Sequence, residues 1–219
     1  MPDAAATPYG NPARSEMLRY LPAGTACVLD VGCHLGGFGV ALKEAGVATV
    51  WGVEPNPETA DVARRHLDHV VTGFFAADTV PDAQFDAIFF NDVLEHMAQP
   101  EDALRVAQAK LKPGGVVLAS IPNVRYIGNL LHILRDKDFR YEDSGIRDRT
   151  HLRFFTKKSI PRLFEASGYE IRTLDGINEA WWEPSLLRRL AFRIWGNGYL
   201  EDTRYAQYAV VARPLETAH

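Results

Sequence analysis

The stretch Val28-Leu29-Asp30-Val31-Gly32-Cys33-His34-Leu35-Gly36-Gly37-Phe38-Gly39-Val40-Ala41-Leu42 decides how the rest of the chain is read. An apolar run meets an acid, a glycine-rich loop follows, and a helical pattern begins. That order describes a strand, a tight turn and a helix N-terminus, where backbone N–H groups converge and can hold a nucleotide-like ligand.

Outward from this stretch, strand and helix patterns alternate. Residues 1–8 are small and Pro-containing and read as a loose tail, and residues 11–21 predict a short helix with Met17, Leu18 and Leu21 on one face. Downstream, the helix after the loop stops near Gly46, residues 48–53 form a strand closing on Glu54, and Pro55-Asn56-Pro57 opens a helix through Leu67. Further strands are expected at 70–75, 85–90, 116–121, 169–174 and 205–212. Pro100 starts a helix with Ala103, Val106, Ala107 and Leu111 at helical spacing, which Lys112-Pro113-Gly114-Gly115 breaks. Residues 156–167 predict another helix, capped by Thr156 and stopped by Gly168. The alternation predicts a mostly parallel α/β sheet with helices on both faces. Residues 1–219 read as a single domain, and segments 123–155 and 176–203, long for plain connections, read as lids or substrate walls.

The 219 residues can bury a core without disulfides or metal, and 47% hydrophobic with 24% charged residues is ordinary for a globular protein. A net charge of −4 gives no general attraction to nucleic acid. The only cysteines, Cys27 and Cys33, flank one strand and its turn and read as reduced thiols. No secretory signal and no membrane-spanning apolar run are visible, so a cytoplasmic setting is expected.

A dinucleotide fingerprint requires a second glycine where His34 stands, and a pyrophosphate would be repelled by Asp30. An acid there suits a ligand with an amino group. Glu54, one strand later, offers two acceptor oxygens to a vicinal diol. Together with Phe85-Asp86-Ala87-Ile88-Phe89-Phe90-Asn91-Asp92-Val93-Leu94-Glu95-His96 and Leu111-Lys112-Pro113-Gly114-Gly115, these motifs resemble, in order and spacing, the class I S-adenosylmethionine-dependent methyltransferases over nearly the whole chain.

The resemblance implies a Rossmann-like, doubly wound, mostly parallel seven-stranded sheet with helical lid insertions. It implies S-adenosyl-L-methionine as cofactor and S-adenosyl-L-homocysteine as product. Asp30 would face the amino group of the cofactor, and the loop through Gly32, Cys33, His34 and Gly36 would cradle its methionine portion. Glu54 would hold the ribose hydroxyls, Pro55 would lie against the adenine, and Asn91 and Asp92 would meet the methionine end. Arg14 would reach the methionine carboxylate, unless it is a plain surface arginine. The chain departs from the pattern at His34, which replaces a glycine, and at Gly73-Phe74, where many members carry Gly-Asp. Phe74 would then pack on the adenine and Asp78 reach its edge.

On the acceptor side, Leu94-Glu95-His96 is shared by many small-molecule members. Asp148-Arg149-Thr150-His151-Leu152-Arg153-Phe154-Phe155-Thr156 resembles a segment of methyltransferases associated with bacterial cell-surface polysaccharide synthesis. His151 is the preferred general base and His96 the alternative, with Arg149, Arg153 and Tyr126 as substrate contacts. The scattered histidines show no metal-ligand spacing, so metal-independent transfer is expected. The expected activity is O-methylation of a sugar or glycan precursor. A phenol, quinone-precursor or amine methyltransferase, a nicotinamide oxidoreductase and a non-catalytic cofactor-binding module are the alternatives. The apolar run around Trp181, Trp182 and Trp195, interrupted by arginines, suits a lid or a homodimer contact.

Overall fold

The computed structural model describes residues 14–179 and 200–215. The strands are β1 (Cys27–Val31), β2 (Thr49–Glu54), β3 (His69–Thr72), β4 (Phe85–Asn91), β5 (Leu111–Pro122), β6 (Tyr169–Glu179) and β7 (Tyr205–Pro214). The helices are α1 (Ser15–Leu18), α2 (Gly37–Glu44), α3 (Pro57–Ala63), α4 (Pro100–Lys110), α5 (Ile127–Asp136) and α6 (Ser159–Ala166), with short 3-10 turns at Leu94–His96 and Glu201–Arg204. The seven strands form one sheet in the order β3-β2-β1-β4-β5-β7-β6. Neighbours from β3 through β5 are parallel, whereas β7 runs antiparallel to both β5 and β6. This is the expected Rossmann-like, doubly wound sheet, with one antiparallel hairpin at its far edge.

Burial on both faces explains the near-continuous apolar runs. Every residue of β1 is buried, and the period of two along a strand divides them between two cores. Cys27, Leu29 and Val31 pack with Ala103, Leu104 and Ala107 of α4 and Ile160, Leu163 and Phe164 of α6. Val28 packs on the other side with Met17 of α1 and Phe38 and Leu42 of α2. There Phe38 meets Phe89 of β4 edge to face at 4.8 Å, a geometry that adds about 1 kcal/mol beyond area burial. Gly52 in β2 allows this close packing: a Cβ there would come within 2.5 Å of Cys33 Sγ.

Several boundaries differ from expectation, each for a local reason. The third strand is His69–Thr72, not 70–75. Gly73 leaves the sheet at φ 148°, freeing Phe74 and Phe75 for the crevice beside it. The helix after β2 begins at Pro57, because Asn56 accepts a hydrogen bond from the Glu58 amide as its N-cap. The Lys112-Pro113-Gly114-Gly115 segment ends α4 but lies within β5, where the register against β4 shifts between Phe85 and Ala87. The helix expected from Thr156 begins at Ser159. Lys158 stands at its N-cap, and Thr156, two residues earlier, ties the entry to the helix by accepting from the Ser159 amide at 3.1 Å. Helix α5 lies inside segment 123–155, expected as a helical lid insertion without bounds for its helix. The apolar run around Trp181–Trp195 lies outside the described residues. No helix of the described residues is long and apolar enough to cross a membrane.

Candidate active site

Strand order reverses between β1 and β4, and in open α/β sheets a crevice opens there beyond the carboxyl ends of the strands. A cavity of about 920 Å³ occupies it. That is near the upper end of the ~300–1,000 Å³ typical of ligand pockets, room for a nucleoside and a second molecule.

One wall is the β1–α2 loop. Gly32, His34 and Gly36 all adopt positive φ, at 73°, 49° and 84°. His34 therefore takes the left-handed conformation that a glycine adopts at little cost. The loop is tied to β2: the Gly32 and Cys33 amides donate to the Val53 carbonyl, and the His34 amide donates to Glu54 Oε2 at 2.9 Å. Glu54 Oε1 accepts from the Asn56 amide at 3.0 Å, and the Thr59 hydroxyl lies 3.0 Å from both that oxygen and the Asn56 carbonyl. Each Glu54 oxygen keeps capacity for one more donor once Thr59 turns to the carbonyl, which suits a vicinal diol.

Asp30 is buried at the end of β1. Burial, and then the nearby Glu54 charge, push its carboxyl up to about 8. A cationic amino group placed there would restore its ionisation. His34 Nδ1 and both side-chain polar atoms of Asn91 are buried without hydrogen-bond partners, and both residues line the cavity. Such orphaned groups, together with Asp30 and Glu54, form a donor and acceptor set that fits the nucleoside and amino-acid ends of S-adenosylmethionine.

Arg14 also lines the cavity but is engaged with the protein. It forms an ion pair with Asp92 and donates to Gln207 Oε1 at 3.2 Å. Asp92 sits at φ 52°, and its Oδ1 also accepts from Gln207 and Ser120. Pro55 and Phe74 line the cavity, and Phe74 is 83% exposed. Gly36 caps α2 just outside the lining, and Asp78 is solvent-exposed and outside it. The half-buried Phe75 lines the cavity instead, held edge to face on Phe90.

The opposite end is built by the turn Leu94–His96 and by the loop after α5. Asp148, almost fully buried, accepts from the Thr150 amide and hydroxyl at 2.7 and 2.6 Å. The Leu152 and Arg153 amides both donate to the Glu95 carbonyl, which fastens this loop onto the turn. His96 and His151 thereby meet. Thr150 gives its hydroxyl proton to Asp148, so its oxygen, 3.0 Å from His96 Nδ1, accepts from that nitrogen. His151 Nδ1 donates to the Ile146 carbonyl at 3.2 Å. Both rings thus carry a lone pair on Nε2. Burial lowers both pKa values, with His151 adding to the effect at His96, so both are neutral at pH 7.

Beside them is Glu95, buried, with neither carboxylate oxygen hydrogen-bonded and its carboxyl raised to about 8 by desolvation. Sequence reading quoted Glu95 within a motif without giving it a role; only the Leu94-Glu95-His96 pattern marked its place. The expected substrate contacts are not brought in. Arg149 is exposed and pairs with Asp143, Arg153 donates to the Ala98 carbonyl, and Tyr126 caps α5; none of the three lines the cavity.

A family model described as a methyltransferase domain matches residues 10–174. A ubiquinone biosynthesis O-methyltransferase from Aeromonas salmonicida is 30% identical over 162 residues, covering 70% of this chain and 66% of the relative. A protein of the same name from Azoarcus is 28% identical over 158 residues, covering 68% of this chain and 66% of the relative. The chain thus spans just under two thirds of the length of these relatives. A SAM-dependent methyltransferase from Archaeoglobus fulgidus superposes with a TM-score of 0.67 at 19% identity, over 90% of this chain and 91% of that one. These findings do not support the expected association with polysaccharide synthesis. With an acid, a diol acceptor and a cradle loop at the switch point of this sheet, the chain belongs to the methyltransferase domain family.

Proposed function

We propose that the acceptor is a phenolic hydroxyl on an aromatic ring of the quinone-precursor type, methylated on oxygen. The carrying observation is the pair of neutral imidazoles, His96 and His151, at the end of a cavity whose other walls are largely apolar: Phe75, Val93, Met97, Ala98, Pro122 and Ile146. A ring packs on such walls, whereas a sugar needs donors and acceptors around its whole rim. The arginines that would have suited a glycan are engaged elsewhere. The names of the relatives favour the same chemistry.

When bound, the cofactor supplies an electrophilic methyl on a sulfonium. Asp30 holds the amino end, Glu54 the ribose, and Asn91 supplies its unpartnered amide near the methionine end. Val93, Met97 and Ile146 exclude water. A phenol titrates near pH 10, so a proton acceptor at the hydroxyl lowers the barrier. Nε2 of His151, with His96 beside it, is that acceptor in the protein alone. The buried free thiols of Cys27 and Cys33 suit a reducing, cytoplasmic setting. The test is mass spectrometry of a panel of catechols, hydroxybenzoates and nucleotide sugars incubated with enzyme and cofactor. Gain of one CH₂ on the phenols supports the reading, and product only from the sugars overturns it.

A further inference from the structure

Sequence spacing offered no metal site, yet the fold brings three ligand-type side chains to one point. A Glu95 oxygen and one ring nitrogen each of His96 and His151 all lie within 4.8 Å of one another. Glu95 is 1% exposed, and neither of its oxygens has a hydrogen-bond partner among the described residues. Buried carboxylates are tolerated when they are paired or coordinate a metal. The two imidazoles repeat the arrangement seen around bound metals, where Nδ1–H is held by an outer acceptor and Nε2 is left for the ion. The acceptors here are Thr150, itself fixed by Asp148, and the Ile146 carbonyl.

We propose that Glu95, His96 and His151 bind a divalent first-row transition cation at the acceptor end of the cavity. Two imidazoles and one carboxylate suit Zn²⁺, Mn²⁺, Fe²⁺ or Co²⁺ better than Ca²⁺ or Mg²⁺, which favour all-oxygen ligands. Ligand bonds of about 2.0–2.2 Å place tetrahedral donors about 3.3 Å apart. His151 Nε2 and Glu95 Oε1 stand at 3.9 Å, so modest side-chain rotation closes the cluster. All three residues line the cavity. Three protein ligands leave positions for water or an acceptor oxygen, the pattern of a catalytic rather than a structural metal site.

This inference rests on the phenolic reading only for which oxygen meets the cation. A hydroxyl oxygen that coordinates loses its proton to water. Its lone pair then forms the O–CH₃ bond as the S–CH₃ bond breaks, leaving the neutral thioether. The imidazoles act as ligands in that state, and solvent replaces them as proton acceptor.

The test uses the full chain stripped with a chelator and titrated with Co²⁺, followed by visible absorption and calorimetry. One equivalent is expected to bind in the micromolar range or tighter. Glu95→Gln, His96→Ala and His151→Ala should each weaken binding at least about 10-fold. Retained S-adenosylhomocysteine affinity shows which variants are folded, and the comparison is made on those. No saturable binding of Co²⁺, Zn²⁺ or Mn²⁺ by the wild-type chain overturns the site, as does binding undiminished in every folded variant. Saturable binding lost in the variants, with no phenol methylated in the cation-loaded enzyme, supports the site and overturns the acceptor reading alone.

Discussion

His96 and His151 meet edge to face, their ring centroids 4.6 Å apart and the planes at 75°. One ring stands on a 3-10 turn after β4, the other on the loop after α5. The contact exists because the Leu152 and Arg153 amides clasp the Glu95 carbonyl.

Removing either ring should therefore harm turnover far more than cofactor binding. His151→Ala and His96→Ala are each expected to lower kcat by about 10²–10⁴-fold. Affinity for S-adenosylhomocysteine, measured by calorimetry, should stay near the wild-type value.

The pH profile should follow the same rings. Burial lowers both pKa values below the ordinary 6.5, so the neutral, lone-pair-bearing forms persist as pH falls to that point. The acid limb of the kcat profile should lie below pH 6.5, and a limb centred well above it would show that neither imidazole is buried as described.

Asp30 supplies the opposite sign. Its carboxyl titrates near 8 in the folded chain against 3.8 ordinarily, so the folded state holds the proton more tightly. That contribution to stability is fully present below 3.8 and is lost as pH rises through about 8. Asp30→Asn should raise the Tm of the cofactor-free protein at pH 8 while weakening cofactor binding. In the wild type, cofactor binding near neutral pH should release up to one proton, seen as a buffer-dependent calorimetric enthalpy.

His34 holds a left-handed backbone that costs a non-glycine residue about 1–2 kcal/mol. His34→Gly should stabilise the cofactor-free protein by about 1 kcal/mol or less, since glycine returns part of the gain as chain entropy. Its Nδ1 is partnerless and the residue lines the cavity; if the imidazole contacts the cofactor as proposed, cofactor affinity should fall at the same time. Denaturant titration and calorimetry separate the two effects.

Buried Asn129 of α5 donates to the Val124 carbonyl at 2.7 Å and accepts from Arg147 at 3.1 Å. It therefore anchors the loop that carries Thr150 and His151. Asn129→Ala should cost about 1–3 kcal/mol in denaturant unfolding. It should also lower kcat more than it changes cofactor affinity.

The half of the cavity read as cofactor-binding was picked out from local signals. Asp30, Gly32 and His34 lie within one strand and its turn, Glu54 ends the next strand, and a buried parallel strand announces itself as an apolar run. The acceptor half was not. Arg149 and Arg153 look like substrate contacts in a charged run, but one pairs with Asp143 and the other reaches the Ala98 carbonyl. Helix α5 fell in a segment expected to be a helical lid insertion, but its bounds were not placed, because that segment broke the strand and helix alternation.

By itself, then, the sequence determined the strand and helix alternation and the cradle loop after the first strand, since side-chain period and turn chemistry act over a few residues. The cofactor came from the motifs' resemblance to a known family. Only the tertiary structure decided that Glu95, His96 and His151 share one buried corner. That proximity depends on a long loop folding back onto a turn. Its backbone hydrogen bonds to Glu95 carry no mark in the order of the amino acids.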